Sequence, residues 1–104
     1  MALYQQANEN FVSVGGQATV SVTPTSLTVV KPSPGRLCRI LVTTVNGANQ
    51  VNIFDNASAA SGTIIGVVAA AAAAGSVIDL QMPAALGITI AGTAAAGVFT
   101  ISFI

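Results

Sequence analysis

Apolar and polar side chains alternate along much of this chain with a period of two residues. In residues 18–23, ATVSVT, three apolar side chains share one face of an extended chain and three hydroxyl side chains share the other. Residues 99–103, FTISF, repeat the pattern. This alternation predicts a half-buried β-strand in each of the two segments.

Six further segments between these two are rich in Val, Ile and Thr, whose β-branched side chains suit a pleated sheet. They are 26–31, 37–44, 50–54, 63–69, 76–82 and 86–91. Pro, Gly and Asn residues that favour turns close each segment. The spacing predicts an all-β fold of about eight short strands: an antiparallel sandwich, a jelly-roll-like fold or a small barrel. No segment has the 3.6-residue period of an amphipathic helix, which excludes a helical bundle.

Alternate connections lie at the same end of a domain when consecutive strands are antiparallel. We therefore expect the turn at Asn46 and Gly47 to meet the loops 71–75 and 92–97. These loops consist of small, uncharged residues, and the alanine run 69–74 is too short for a stable helix. We expect this end to be a subunit contact that includes Ala73 and Ala95.

The first sixteen residues differ in character from the rest. Gln, Asn and Glu side chains are interrupted by Leu3, Tyr4 and Phe11. Residues 1–16 are expected to be either an N-terminal arm, with these three residues as interface anchors, or a frayed terminus followed by a first strand. Residues 17–104 are expected to form a single β-domain. No signal peptide is visible, so we expect the protein to remain in the cell that makes it.

Charge is scarce in this sequence. Its 104 residues include three basic and three acidic side chains, a formal net charge of zero and 53% hydrophobic residues. Such a surface predicts poor solubility of a free monomer, so we expect partners to cover much of it. Three basic residues are too few for phosphate-driven binding, which argues against a nucleic-acid partner.

Two uncharged stretches, 56–78 and 80–104, are long enough to cross a bilayer as helices. Gly, Ser and Pro residues interrupt both, and neither has the basic or aromatic flanks of a membrane span. We expect no membrane partner.

The residue types that most enzymes need are missing or scattered. The sequence has no His, the commonest general base and metal ligand. Lys31 precedes Pro32, where a solvated charge is the simplest interpretation. Asp55 and Asp79 would form a paired-carboxylate site only if the fold brought them together. We expect no catalytic, metal or cofactor site, and no enzymatic activity.

Three other positions have simple structural interpretations. Cys38 is expected to be a small buried side chain. Asn56 begins a glycosylation-like triplet, but a turn cap is the better interpretation without a secretion signal. Arg36 and Arg39 flank Cys38 and are expected to bind a carboxylate or main-chain carbonyls, one facing solvent and the other a partner.

Three segments resemble small virion proteins of tailed bacteriophages, some of which serve as capsid decoration, or cement, proteins. They are residues 31–44, KPSPGRLCRILVTT, residues 53–66, IFDNASAASGTIIG, and residues 82–90, MPAALGITI. The resemblance implies a protein made in the host cytoplasm that ends on the capsid exterior of the virion. It also implies non-covalent packing on the major capsid protein and self-association as a dimer or trimer.

Two alternatives stay open at this point. The first is another virion component, such as a head-fibre base, a head-tail connector or a tail subunit. The second is a carbohydrate- or receptor-binding β-module, which usually presents exposed aromatic residues. Tyr4 is the one tyrosine and Trp is absent, so the sequence supports the second alternative poorly.

Overall fold

The structure is a computed structural model that describes residues 16–93 and 96–104. These residues form eight strands and no helix: β1 (Ala18–Val22), β2 (Leu27–Lys31), β3 (Gly35–Thr44), β4 (Val51–Asp55), β5 (Ile64–Val68), β6 (Val77–Ala84), β7 (Ile88–Ala91) and β8 (Val98–Phe103). The predicted all-β fold is confirmed, and each predicted strand is present with ends within two residues of those expected. The alanine run is a loop, as expected, with Ala71 at a φ of 59°. Residues 1–15, including Leu3, Tyr4 and Phe11, lie outside the described part.

The strands pair from the two ends of the chain towards its middle. β1 pairs with β8, β2 with β7, β3 with β6 and β4 with β5, all antiparallel. Two further antiparallel pairings, β3 with β8 and β4 with β7, complete the sheets. The described strands therefore form a first sheet in the order β1-β8-β3-β6 and a second sheet in the order β2-β7-β4-β5. A long antiparallel ribbon folded over into two four-stranded sheets is a jelly roll.

The core lies between the two sheets. Each strand contributes the apolar side chains of its inner face, since successive side chains point to opposite sides. The buried cluster consists of Val22, Leu37, Ile40, Val42, Val51, Ile53, Ile65, Val68, Ala84, Ile88, Ile90, Phe99 and Ile101. Full burial of one large aliphatic or aromatic side chain contributes about 1.5–3 kcal/mol. These contacts hold the two sheets, and hence the loops at both ends, in fixed relative positions.

The outer face of the first sheet is largely polar. Two rows of paired residues cross its four strands. They are Thr19, Ser102, Arg39 and Asp79 in one row, and Ser21, Thr100, Leu41 and Val77 in the other. Five of these eight side chains are hydroxyl-bearing or acidic and a sixth is an arginine, which is typical of a sheet face in contact with water. In the ranges 16–93 and 96–104, no helix has the length and hydropathy needed to cross a bilayer.

Candidate interaction surfaces

Four connections meet at one end of the jelly roll. They are residues 23–26, 45–50, 69–76 and 92–97, of which 94 and 95 lie outside the described part. The Asn46 N–H donates to the Ala72 carbonyl at 2.9 Å, and the Ala71 N–H donates to the Gly47 carbonyl at 2.8 Å. The Gly92 N–H donates to the Ser26 carbonyl at 3.3 Å. The Gly97 N–H also donates to Asn46 Oδ1 at 3.2 Å, so the expected meeting of three of these loops is confirmed. We call this region the loop end.

The Asn46 side chain joins three of the four connections. Asn46 is 3% exposed. Its Nδ2 donates to the carbonyls of Asn49 at 3.1 Å and Ala69 at 2.9 Å, and its Oδ1 accepts from the Gly97 N–H at 3.2 Å. A buried amide is stable only when its donors and acceptor are paired, and here both are. From the sequence, Asn46 and Gly47 were expected to form a simple turn, so this role of Asn46 was missed.

The loop end presents small and apolar groups to solvent. The four connections contain no charged residue. Ala73 and Ala74 are exposed, and so are Val45 and, at the start of β6, Val77. Ala73 therefore lies where a partner can reach it, whereas the predicted contact residue Ala95 is outside the described residues. The interface role of both stays a prediction.

The outer face of the second sheet is mainly apolar, in contrast to that of the first sheet, and it is exposed chiefly along its two edge strands. Val51, Ile53, Ile88 and Ile90 point into the core, so their neighbours in β4 and β7 point outward. The outward side chains form two rows across the four strands: Leu27, Ala91, Asn52 and Val67, and Val29, Thr89, Phe54 and Ile64. We call these eight residues the apolar sheet face. Its four aliphatic residues on the edge strands β2 and β5 are between 37% and 47% exposed.

The apolar sheet face carries no charged side chain. Its one buried hydroxyl, that of Thr89, donates to the Asn56 carbonyl at 2.7 Å and is therefore satisfied within the chain. A group of exposed aliphatic side chains on one sheet face often marks a contact with another molecule. This face was not predicted from the sequence.

At the opposite end of the jelly roll, the Asp55 carboxylate holds the turn between β6 and β7. It accepts hydrogen bonds from the backbone N–H groups of Leu86 at 2.8 Å, Ala85 at 3.0 Å and Gly87 at 3.4 Å. The bond from Leu86, followed by that from Ala85, makes the largest contribution to lowering the pKa of Asp55 below its ordinary value, because both bonds stabilise the charged form. Asp79 lies in the other sheet, so the structure does not form the paired-carboxylate site.

The predicted turn cap at Asn56 is confirmed. Its Oδ1 accepts from the N–H groups of Ser58 and Ala59, each at 2.9 Å, and its Nδ2 donates to the Ser61 carbonyl at 3.2 Å. Side-chain bonds of this type stabilise the loop that follows β4. Asp55 and Asn56 therefore both stabilise loops at the end of the jelly roll opposite the loop end.

Arg36 and Arg39 both find targets within the chain, and of the two expected types. Arg36 donates to the main-chain carbonyl of Gln81 at 2.9 Å. The Arg39 Nε lies 3.6 Å from Asp79 Oδ1, an ion pair too long for a hydrogen bond. Both partners of this pair are solvent-exposed, so it contributes at most about 1 kcal/mol. Whether either arginine also contacts a partner stays a prediction.

Cys38 is buried, as expected. Burial raises the pKa of its thiol because the thiolate is poorly solvated there, and Asp79 raises it further. Arg36 and Arg39 oppose this increase. Cys38 is thus a packing residue rather than an activated nucleophile.

The chemistry of the described residues is that of surfaces rather than clefts. In residues 16–93 and 96–104, no three His, Cys, Asp or Glu side chains come together, and no pocket is present. What the fold offers a partner is therefore the loop end and the apolar sheet face. Comparison with known proteins finds no matching family model, no matching curated protein and no matching solved structure.

Proposed function

We propose that this chain is a structural virion protein of a tailed bacteriophage: a capsid decoration, or cement, protein that packs non-covalently on the major capsid protein at the capsid exterior. One observation carries the proposal: the described part of the chain has two differently oriented, uncharged surfaces, the loop end and the apolar sheet face. A cement protein must contact two neighbours at once. Two such surfaces suit that role.

Association through these surfaces is physically favourable. Each Å² of apolar surface removed from water contributes about 25 cal/mol, and no ion has to be desolvated when either surface is covered. Contacts of this type hold a shell together without a covalent bond or a cofactor. Such contacts would also account for the zero net charge of the chain and for the exposed aliphatic residues on one sheet face. Both features lower the solubility of a free monomer.

Two of the three segments that resemble phage virion proteins, 53–66 and 82–90, add support because they contact each other directly. Asp55, in the segment 53–66, accepts hydrogen bonds from the backbone of residues 85–87, in the segment 82–90. These two segments therefore help to build one end of the jelly roll rather than a reactive site. Jelly rolls occur in viral capsid and lectin domains, although a fold alone does not assign a function.

The proposal assigns the chain no catalytic role, no cofactor, no nucleic-acid partner and no membrane partner. Its partners are the major capsid protein and further copies of the same chain. The absence of His from the whole sequence and the small number of basic residues support this assignment.

Copy number in purified particles tests the proposal. A decoration protein is present in a simple ratio to the major capsid protein, which quantitative gel densitometry or mass spectrometry measures. A head-fibre base or a head-tail connector is present in only a few copies. A low copy number, or absence from purified particles, would therefore overturn the assignment as a cement protein.

A charged substitution at the loop end tests its role in binding. Ala73→Glu places a charge on an uncharged contact, so we expect weaker binding to particles that lack the protein. Ala60→Glu is the matched control, since Ala60 is also exposed but lies in the β4–β5 loop at the opposite end. Equal binding of the two variants would remove the loop end from the proposed capsid contact.

A further inference from the structure

We infer that the apolar sheet face packs against the apolar sheet face of a second copy of this chain, so that two jelly rolls associate face to face about a two-fold axis. This inference rests on the proposed function, because it assigns one of the two surfaces to self-association. The loop end is then left for the capsid.

The geometry of the face suits packing against a second sheet. Two sheets pack face to face about 10 Å apart with their strands within about 30° of each other. The apolar sheet face places two rows of side chains across four strands, with Leu27 and Val67 at the edges of one row and Val29 and Ile64 at the edges of the other. A β-bulge in β5 lies between the two rows. These side chains are of the same types as those that already pack between the two sheets in the core.

The absence of charge on the face also favours a self-contact. A two-fold contact brings a surface against an identical surface, so any charge on it lies near an identical charge of the second copy. The outer face of the first sheet contains Arg39 and Asp79, whose ions would have to be desolvated in such a contact. The apolar sheet face has no ion to desolvate. Of the two sheet faces, it alone suits a self-contact.

The area of the face sets the strength of the contact. Four strands about 4.8 Å apart, of four or five residues each at about 3.3 Å per residue, give a footprint of roughly 300 Å². A stable interface buries about 800 Å² per partner, and weak, transient contacts lie at the low end of the range. The face alone therefore supports a weak dimer that dissociates on dilution. In a particle, where many copies are held close together, the same contact is occupied far more fully.

Sedimentation equilibrium of the whole chain, from about 10 µM to about 1 mM, tests the inference. We expect the average mass of the wild type to rise from monomer towards dimer. The double variant Leu27→Glu/Val67→Glu should remain a monomer over this range, with the dissociation constant raised at least about tenfold. The matched control is Leu41→Glu/Val77→Glu, since these two residues pair on the outer face of the first sheet and are also exposed. It should associate as the wild type does.

Mixing variants of opposite charge distinguishes a second copy from any other occupant. Leu27→Lys/Val67→Lys should also be a monomer alone, but an equimolar mixture with the Glu variant should form a dimer, because the two faces now attract each other. Circular dichroism of each variant establishes that it is folded. A mixture that stays monomeric while both variants are folded overturns the inference.

Two other outcomes are equally decisive. A wild type that remains a monomer at the highest concentration overturns the self-contact, and so does equal loss of association in the first-sheet control. Neither result affects the copy number of the protein in particles, which tests the proposed function separately. If the wild type is a monomer and the Glu variant no longer binds particles, the face contacts the capsid, which contradicts this inference but supports the proposed function.

Discussion

The Asn46 side-chain carbonyl accepts a hydrogen bond from the backbone N–H of Gly97 at 3.2 Å, across 51 positions of sequence. Gly97 lies so close to the β3–β4 connection that a Cβ atom would overlap the carbonyl oxygen of Thr44 and lie 2.6 Å from that of Val45. The hydrogen bond and the close approach together fix the β7–β8 connection against the β3–β4 connection. The shape of the loop end thus depends on the buried side-chain amide of Asn46 and on the absence of a side chain at Gly97.

Replacing Asn46 with Ala should destabilise the fold by about 2–4 kcal/mol, since buried groups that lose a partner cost about 1–3 kcal/mol each. The Gly97 N–H and the carbonyls of Ala69 and Asn49 would each lose one hydrogen bond. Urea or thermal unfolding of the variant measures the loss.

Asn49→Ala is the control for this substitution. The Asn49 side chain is exposed, and its backbone carbonyl, which Asn46 binds, is retained. Its effect should stay within about 0.5 kcal/mol. Similar stabilities of the two variants would contradict the role assigned to Asn46.

Glycine positions in the same fold should differ sharply in their response to Ala. Gly97→Ala should cost about 3 kcal/mol or more, because the added methyl group meets backbone atoms that move only if the loop end rearranges. At Gly66 a Cβ would meet the ends of the Leu37 and Leu80 side chains at 3.0 Å. Those side chains can shift, so Gly66→Ala should change stability by less than about 1 kcal/mol. Unfolding free energies that rank the two in the opposite order would refute this account.

The sequence was sufficient to predict the strands but not their partners. Period-two alternation in residues 18–23 and 99–103, together with the turns between segments, located all eight strands of the described part. The same pattern cannot specify that β1 pairs with β8, because that pairing joins residues about 80 positions apart and depends on the whole fold. Local sequence patterns therefore predict the strands. Whether the strands form a sandwich, a jelly roll or a barrel depends on long-range pairing and packing.

The apolar sheet face was missed for a related reason. In β2 and β5, adjacent apolar residues occupy both faces of the strand, as with Val29 and Val30, and Ile64 and Ile65. Alternation identifies an outer face only where that face is polar. The loop end, by contrast, was predictable, because antiparallel connectivity alone brings alternate connections together. The side-chain hydrogen bonds of Asn46 were not predictable, because an Asn before a Gly is also the usual composition of a tight turn.

Acidification should reveal the role of Asp55 at the opposite end. Its folded-state pKa is lower than its ordinary value of 3.8, chiefly because the Leu86 and Ala85 N–H groups bind the charged form. The ionised carboxylate therefore stabilises the fold fully above about pH 5, and this contribution is lost as the pH falls below 3.8 and through the lower folded-state pKa. Melting temperatures measured between about pH 7 and pH 2.5 should show this decline in the wild type.

Asp55→Asn isolates this contribution. The variant should melt at a lower temperature than the wild type at neutral pH, and the difference should shrink as the pH approaches the folded-state pKa of Asp55. Asp79→Asn should have a smaller effect at neutral pH, because Asp79 forms an exposed ion pair with Arg39 rather than several backbone hydrogen bonds. A pH-independent difference between Asp55→Asn and the wild type would contradict the assignment.

Cys38 should react with thiol reagents only when the jelly roll opens. Its side chain is fully buried and burial raises its pKa, so both access and the thiolate fraction are low in the folded state. Labelling with iodoacetamide at about pH 8 should be more than about 100-fold slower than in denaturant, since only transiently opened molecules react. Ser58→Cys in a Cys38→Ala background provides an exposed thiol whose rate should be nearly the same in both conditions. Because opening of the fold limits the reaction, Asn46→Ala should accelerate labelling of Cys38. Rapid labelling of the folded wild type would contradict the burial of this side chain.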